Sequence, residues 1–212
     1  MSCFESSTFL KNPNVMNPHI LQKACDKLGW KYTVYERELV VFNTNSNINL
    51  HGEYALKVIG NQVSYNNYYM KNGKELIANL QSQFYELSVV YARTTIIDAF
   101  ENKGFNFKKN HDFVASSEEV DSFYMIGYSK NKKESEKRTA IKFTILKDGT
   151  IVSDSNYIPE DIHQLADEAM REVDLSYGSE RREGFEIKRK EIPTKYKHKA
   201  YCAVNSKIIT KN

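Results

Sequence analysis

From Gly73 onward a single pattern governs the middle of the chain. Leu76, Ile77, Leu80, Phe84, Leu87, Val90, Tyr91, Thr94 and Ile97 recur at helical spacing across about six turns. The spacing predicts a helix from 74 to about 102, and so long an apolar stripe requires other layers to lie against. Val89-Val90 and Thr94–Ile97 bring in β-branched residues that resist helix, so the pattern leaves room for a break near Glu86–Ser88. Gly104 ends the run, and Phe105 and Phe107 open a strand.

Before this helix the chain reads as strands around one shorter helix. Ser2–Leu10 has strand character, at an edge or in the centre of a sheet, until Asn12-Pro13-Asn14 interrupts it. Asn17-Pro18 sets an N-cap and a proline at the first helical position, where the missing N–H is harmless. Ile20, Leu21, Ala24, Cys25 and Leu28 then form one apolar face and Gly29 supplies a left-handed cap, which places a helix at 18–28. Tyr32 and Val34, then Leu39–Phe42, read as strands, and Asn43–Asn49 reads as a loop. Tyr54–Ile59, Gly60-Asn61 and Gln62–Tyr65 have the length and turn chemistry of a hairpin, which Tyr68–Met70 extends.

After Phe107 the chain turns polar. Lys108–Asp121 lacks apolar periodicity, carries Glu118-Glu119, and reads as a domain boundary. The pattern restarts with strand Phe123–Tyr128, a charged excursion Lys130–Lys137, strand Thr139–Leu146, an Asp148-Gly149 turn and strand Thr150–Asp154. Pro159 opens a helix whose stripe is Ile162, Leu165, Ala166, Ala169, Met170 and Val173. Phe185, Ile187 and Tyr201–Ile209, around Pro193, suggest two final strands or an ordered arm. The fold class is therefore α+β: an antiparallel or mixed sheet with helices packed on it, divisible into two small modules. These are an α+β domain over 1–109 and a hairpin–helix module with a basic tail over 122–212.

Composition narrows the functional classes. No run approaches the roughly 18 apolar residues of a membrane helix, and Ser88–Ile97 is broken by Arg93 and threonines. The opening residues lack the basic head and apolar run of a secretory leader, and Cys3, Cys25 and Cys202 share no CxxC spacing. A reducing compartment is expected, with neither a disulfide framework nor a membrane. The net charge is only +3, but Arg181, Arg182, Lys188, Arg189, Lys190, Lys195, Lys197 and Lys199 stand against three glutamates in the same stretch. With Phe185, Tyr196 and Tyr201 interleaved, this segment suits a single-stranded nucleic acid, gripping phosphates and stacking bases. A solvated edge strand uses the same lysines to resist aggregation.

Chemistry-bearing motifs are few. The nine glycines are scattered singly, so no phosphate loop is present, and there is no Gly-x-Ser-x-Gly elbow or His-Glu-x-x-His helix. Glu160, His163 and Asp167 share one helical face and are the nearest thing to a metal constellation, although a solvated polar face explains the same residues. His111-Asp112 are sequence neighbours in a loop, a poor geometry for a base and its orienting carboxylate. Cys25 falls on an apolar helix face, where a thiol acts as a small hydrophobe. Tyr65, Tyr68 and Tyr69 form either a partner surface or half-buried sheet packing. No cofactor is expected.

Several short segments carry a resemblance. Met1-Ser2-Cys3-Phe4, Leu28-Gly29, Gln83-Phe84-Tyr85 and Gly104-Phe105 together resemble a plastid, cyanobacterial and phage family of unknown function whose members begin Met-Ser-His-Phe. Here Cys3 replaces the histidine, and the family's Trp-Gly near the hairpin is absent. Ile141–Ile151 with its Asp148-Gly149 turn and following helix is similar to a second short family, a strand–turn–strand–helix module often encoded beside the first. The resemblances cover 1–109 and 139–174. They imply no established enzymatic activity and an accessory role beside AAA-type ATPases.

Three functions follow as expectations. The first is a non-enzymatic accessory or adaptor protein of the cytoplasm or plastid stroma, working by protein–protein contact. The second is single-stranded nucleic-acid binding through the eight basic residues from Arg181 to Lys199. The third is a cryptic metal-dependent enzyme using Glu160, His163 and Asp167.

Overall fold

The computed structural model describes residues 4–11, 13–36, 38–43, 54–67, 72–130, 133, 137–155 and 158–178, together with the backbone of four short strands at 185–186, 192–193, 199–202 and 209–210. The fold is α+β, with two antiparallel sheets and helices laid on them. Compactness divides the chain into two units, Met1–Ser88 and Val89–Asn212.

In the first unit five strands form one sheet: β1 (Phe4–Thr8), β2 (Lys31–Tyr35), β3 (Glu38–Asn43), β4 (Leu56–Ile59) and β5 (Gln62–Asn66). Their spatial order is β1-β5-β4-β3-β2, all antiparallel, so β1 and β2 are the edges. Register decides which residues face the core. Val34, Leu39, Val58 and Val63 stand opposite one another in one row, and Tyr32, Val41, Leu56 and Tyr65 in the next. Leu39, Val41, Leu56, Val58, Val63 and Tyr65 are all buried. Helix α1 (Pro18–Lys27) is capped as its sequence dictates, with Asn17 Oδ1 accepting from His19 N and Ile20 N, and it buries Ile20, Leu21, Ala24 and Cys25. Gly29 follows at φ 69°, the left-handed turn that a residue lacking Cβ adopts without cost.

Helix α2 (Gly73–Asn102) is continuous, with no break at Glu86–Ser88. The β-branched residues there do not interrupt it, and Ser88 Oγ, buried, returns its hydrogen bond to Phe84 O at 2.8 Å. Its buried positions are Gly73, Ile77, Leu80, Phe84, Ser88, Ala92, Ile96, Ala99 and Phe100. Steps of four residues advance about 400° around the axis. The stripe therefore winds about the helix instead of keeping to one side. As a result Leu87, Tyr91 and Ile97 are only half-buried and Val90 is exposed.

The second unit builds a sheet from β6 (Asn106–Lys109), β7 (Glu119–Tyr128), β8 (Arg138–Leu146) and β9 (Ile151–Ser155). Beyond β9 lie β12 (Lys199–Cys202) and β11 (Ile192–Pro193), and β10 (Phe185–Glu186) pairs with β13 (Ile209–Thr210). β7 begins at Glu119, earlier than its first apolar cluster, so the polar stretch after Lys109 is the β6–β7 connection, closed by Ser116 Oγ accepting from Glu118 N and Glu119 N. Phe107, Phe123, Met125, Ile141, Phe143, Ile145 and Ile151 face α3 (Glu160–Gly178) and the second half of α2. Ile162, Ala166, Ala169, Met170 and Val173 of α3 close that core. Gly127 lets the two layers approach: a Cβ there would come within 2.6 Å of Phe105 and 3.0 Å of Ile162. No helix among the described residues is long and apolar enough to cross a membrane.

Candidate functional site

The face of the first sheet opposite its buried rows is mixed, with Val40 and Asn66 buried on it and other side chains exposed. Thr33, Val40, Lys57, Ser64 and Ser6 form one cross-strand row, and Tyr35, Glu38, Ile59, Gln62 and Thr8 form the next. The pairing steps by one residue between Lys31 and Tyr32, which leaves Phe42 without a partner in β2. Of the nine large hydrophobic side chains exposed among the described residues, five stand on this sheet: Phe4, Val34, Tyr35, Phe42 and Ile59. Four lie on the outer face, and Val34 continues the inner face past its cover to the β2 edge. Single exposed apolar residues are ordinary, but this concentration on one sheet is not.

On these two rows the charged residues, Lys57 and Glu38, pair with each other. Lys57 Nζ lies 2.9 Å from Glu38 Oε2 and 5.5 Å from the centroid of Tyr54, and the Glu38 bond holds the ammonium above its usual range. Tyr54 in turn packs on Phe4, with ring centroids 5.2 Å apart. These two rows therefore present rings and aliphatic groups around one closed ion pair, with exposed Lys31 further along β2.

At the β1 edge of the inner face lies a polar cluster. Tyr65 Oη donates to Glu5 Oε2, and Asn67 Nδ2 donates to Glu5 Oε1 at 2.9 Å. These bonds, the Tyr65 bond foremost, hold the Glu5 carboxyl below its usual range, and the same bond raises the Tyr65 phenol. Tyr65 is thus packing with a satisfied hydroxyl, whereas Tyr68 and Tyr69 lie outside the described residues.

The other residues singled out in the sequence are placed as follows. His163 Nδ1 lies 3.4 Å from Asp167 Oδ2 one turn away on α3, while Glu160 is exposed at the helix start. Among the described residues no group of three or more His, Cys, Asp or Glu is arranged to hold a metal ion. His111 and Asp112 are both exposed in a turn. Cys25 is fully buried, and desolvation, with Asp26 adding to it, pushes its thiol up to about 12. Arg181, Arg182, Lys188, Arg189, Lys190, Lys195 and Lys197 lie outside the described residues, and of Lys199 only the strand backbone is described.

Sequence reasoning did not find Asp161. It accepts from Ser129 Oγ at 2.7 Å and Lys130 N at 3.2 Å, tying the start of α3 to the end of β7, and the Ser129 bond leads in lowering its carboxyl below the usual range. Nor did it find the outer face of the first sheet. The apolar run Leu39–Phe42 hides which residues point outward until register is known. Comparison with protein-family models, with curated proteins and with solved structures finds no match to this chain.

Proposed function

We propose that this chain is a non-enzymatic accessory protein that acts through protein–protein contact, with the outer face of the first sheet as its docking surface. The observation that carries the reading is the gathering of exposed Tyr35, Phe42, Ile59 and Phe4 on one sheet face. Aromatic and aliphatic groups with little free charge are what the centre of a protein interface is made of. The Glu38–Lys57 pair neutralises the middle of the face, which favours an apolar protein surface as occupant over a polyanion. The resemblance of Met1-Ser2-Cys3-Phe4 and Gln83-Phe84-Tyr85 to a plastid, cyanobacterial and phage family supports an AAA-type ATPase as that partner. With this reading we assign the protein to the cytoplasm or plastid stroma, where its three cysteines stay reduced.

The test is direct binding of the purified full chain to AAA-type ATPases of the source cell, compared with the Tyr35→Asp/Ile59→Asp variant. Both positions are exposed, so the variant keeps the fold. Saturable binding that the variant weakens at least tenfold supports the reading. Binding equal in both proteins, or a self-associated chain that the variant renders monomeric, overturns it.

A further inference from the structure

The second sheet also has an outer face, and its chemistry differs from that of the first. Lys108 of β6 stands opposite Tyr124 of β7, and Tyr124 stands opposite Lys142 of β8. A tyrosine is thereby flanked on both sides by lysines one strand away, at about 5 Å. Alternation puts this row on the side away from α2 and α3, because the neighbours Phe123 and Met125 are fully buried in the helix-covered core. Four residues along β7, about 13 Å further on, Tyr128 stands opposite Arg138 on the same side, and both are exposed. Ile126, which is buried, and Ala140, which is exposed, fill the row between, and Tyr124 and Lys142 are half-buried.

The two rows hold three cations, Lys108, Arg138 and Lys142, and one carboxylate, Asp154, opposite Lys142 on β9. Unlike Lys57 on the first sheet, none of the three cations forms an ion pair among the described residues. Free cations beside flat rings are the two elements that hold an unpaired strand: phosphates take the charge and bases stack on the rings.

We propose that this face binds single-stranded nucleic acid, with Lys108, Lys142 and Arg138 contacting phosphates and Tyr124 and Tyr128 stacking bases. Phosphate contacts and base stacking carry no donor–acceptor code, so binding tolerates any sequence. An acidic peptide would use the cations and leave the rings idle, and the paired geometry of rings and cations favours the nucleic acid. The proposal stands independently of the docking surface on the first sheet.

The experiment is fluorescence anisotropy of the full chain with labelled DNA and RNA strands of about 12 nucleotides, a length within known single-strand site sizes, across a salt series. Lys108→Glu/Lys142→Glu should weaken binding at least tenfold and flatten the slope of log K against log salt by about 1.4, the share of two phosphate contacts. Tyr128→Leu and Tyr124→Leu should each weaken binding roughly fivefold to a hundredfold with the slope unchanged. Tyr128 is half out in solvent, so its variant reports even where the Tyr124 variant unfolds. Tyr35→Asp/Ile59→Asp should leave the traces unchanged, which separates this surface from the first. Flat traces at micromolar protein and low salt overturn the proposal. So does binding insensitive to the lysine pair but lost when Arg181, Arg182, Lys188, Arg189 and Lys190 are reversed. Binding that loses affinity with the lysines and is indifferent to both tyrosines shows a plain polyanion patch and equally overturns it.

Discussion

Gly73 lies flat against the ring of Tyr65: a Cβ at position 73 would come within 2.2 Å of Tyr65 Cδ2 and 2.8 Å of Cγ. The first turn of α2 can seat on the sheet only because the residue there has no side chain. Gly73→Ala gains at most about 1 kcal/mol of helix propensity, while overpacking costs typically 1–3 kcal/mol. The variant should be destabilised, read as a lower urea midpoint. Combining it with Tyr65→Leu, which clears the ring, should give a loss smaller than the sum of the two single losses. Strict additivity would show that the contact is not the cause.

Glu36, in the turn between β2 and β3, is the one non-glycine residue with positive φ, at 48°, among the described residues. That conformation costs roughly 1–2 kcal/mol for a residue with a Cβ, and glycine's extra chain entropy costs about 0.5–1 kcal/mol. The Glu36 side chain is exposed. Glu36→Gly should therefore raise stability by about 0.5–1 kcal/mol, measured by thermal or denaturant unfolding, and a loss of stability would contradict the strain.

Local signals in the sequence were enough wherever one residue type controls the backbone. Asn17-Pro18 and Gly29 bound α1, Gly60-Asn61 turns the β4–β5 hairpin, and Pro159 opens α3. The buried side of α2 was harder to read. Leu76, Leu87, Val90 and Tyr91 look like its core by hydrophobicity, yet Ser88, Ala92 and Ala99 take the inner positions. A winding stripe and close packing favour small residues that a hydrophobicity pattern undervalues. The outer faces were not legible, since Lys108, Tyr124 and Lys142 become neighbours only through cross-strand register. The basic residues from Arg181 to Lys197 lie outside the described residues and stay a reading of the sequence.

Cys25 sets an alkaline limit. Its folded pKa is pushed up to about 12 by burial, above the unfolded value of about 8.5. Stability from the neutral thiol is complete below about pH 8.5 and is lost as pH rises from there toward about 12, at about 1.4 kcal/mol per unit. Tyr32, also raised to about 12, by burial and then by its hydrogen bond with Asp26, adds to the fall above about pH 10. Urea midpoints should decline between pH 8.5 and 10.5, and Cys25→Ala should flatten the first part of that decline. A native thiol that a disulfide reagent modifies at the unfolded rate at pH 8 would refute the burial.

Glu5 and Asp161 set the acid limit. Both carboxyls are held below their usual range, Glu5 first by Tyr65 and Asp161 first by Ser129. Their contribution is complete above the ordinary carboxyl range near pH 4 and is lost as pH falls through the lowered folded values. Glu5→Gln and Asp161→Asn should each make stability less dependent on pH below about 4, as followed by denaturant unfolding from pH 5 to pH 2. An unchanged acid slope in both would show that the two bonds do not persist in solution.

Helix α2 gives Ile77, Leu80 and Phe84 to one unit and Ala92, Ile96, Ala99 and Phe100 to the other, with the division after Ser88 in mid-helix. This bears on how the gene can be shuffled. A crossover between the units would cut a helix, and one placed outside it would hand either descendant half a stripe of apolar side chains with nothing to cover them. Such a fragment is prone to clump before it can be selected for anything. A fragment that keeps one unit together with the whole of α2 should therefore need polar residues in the half of the helix that the other unit covered.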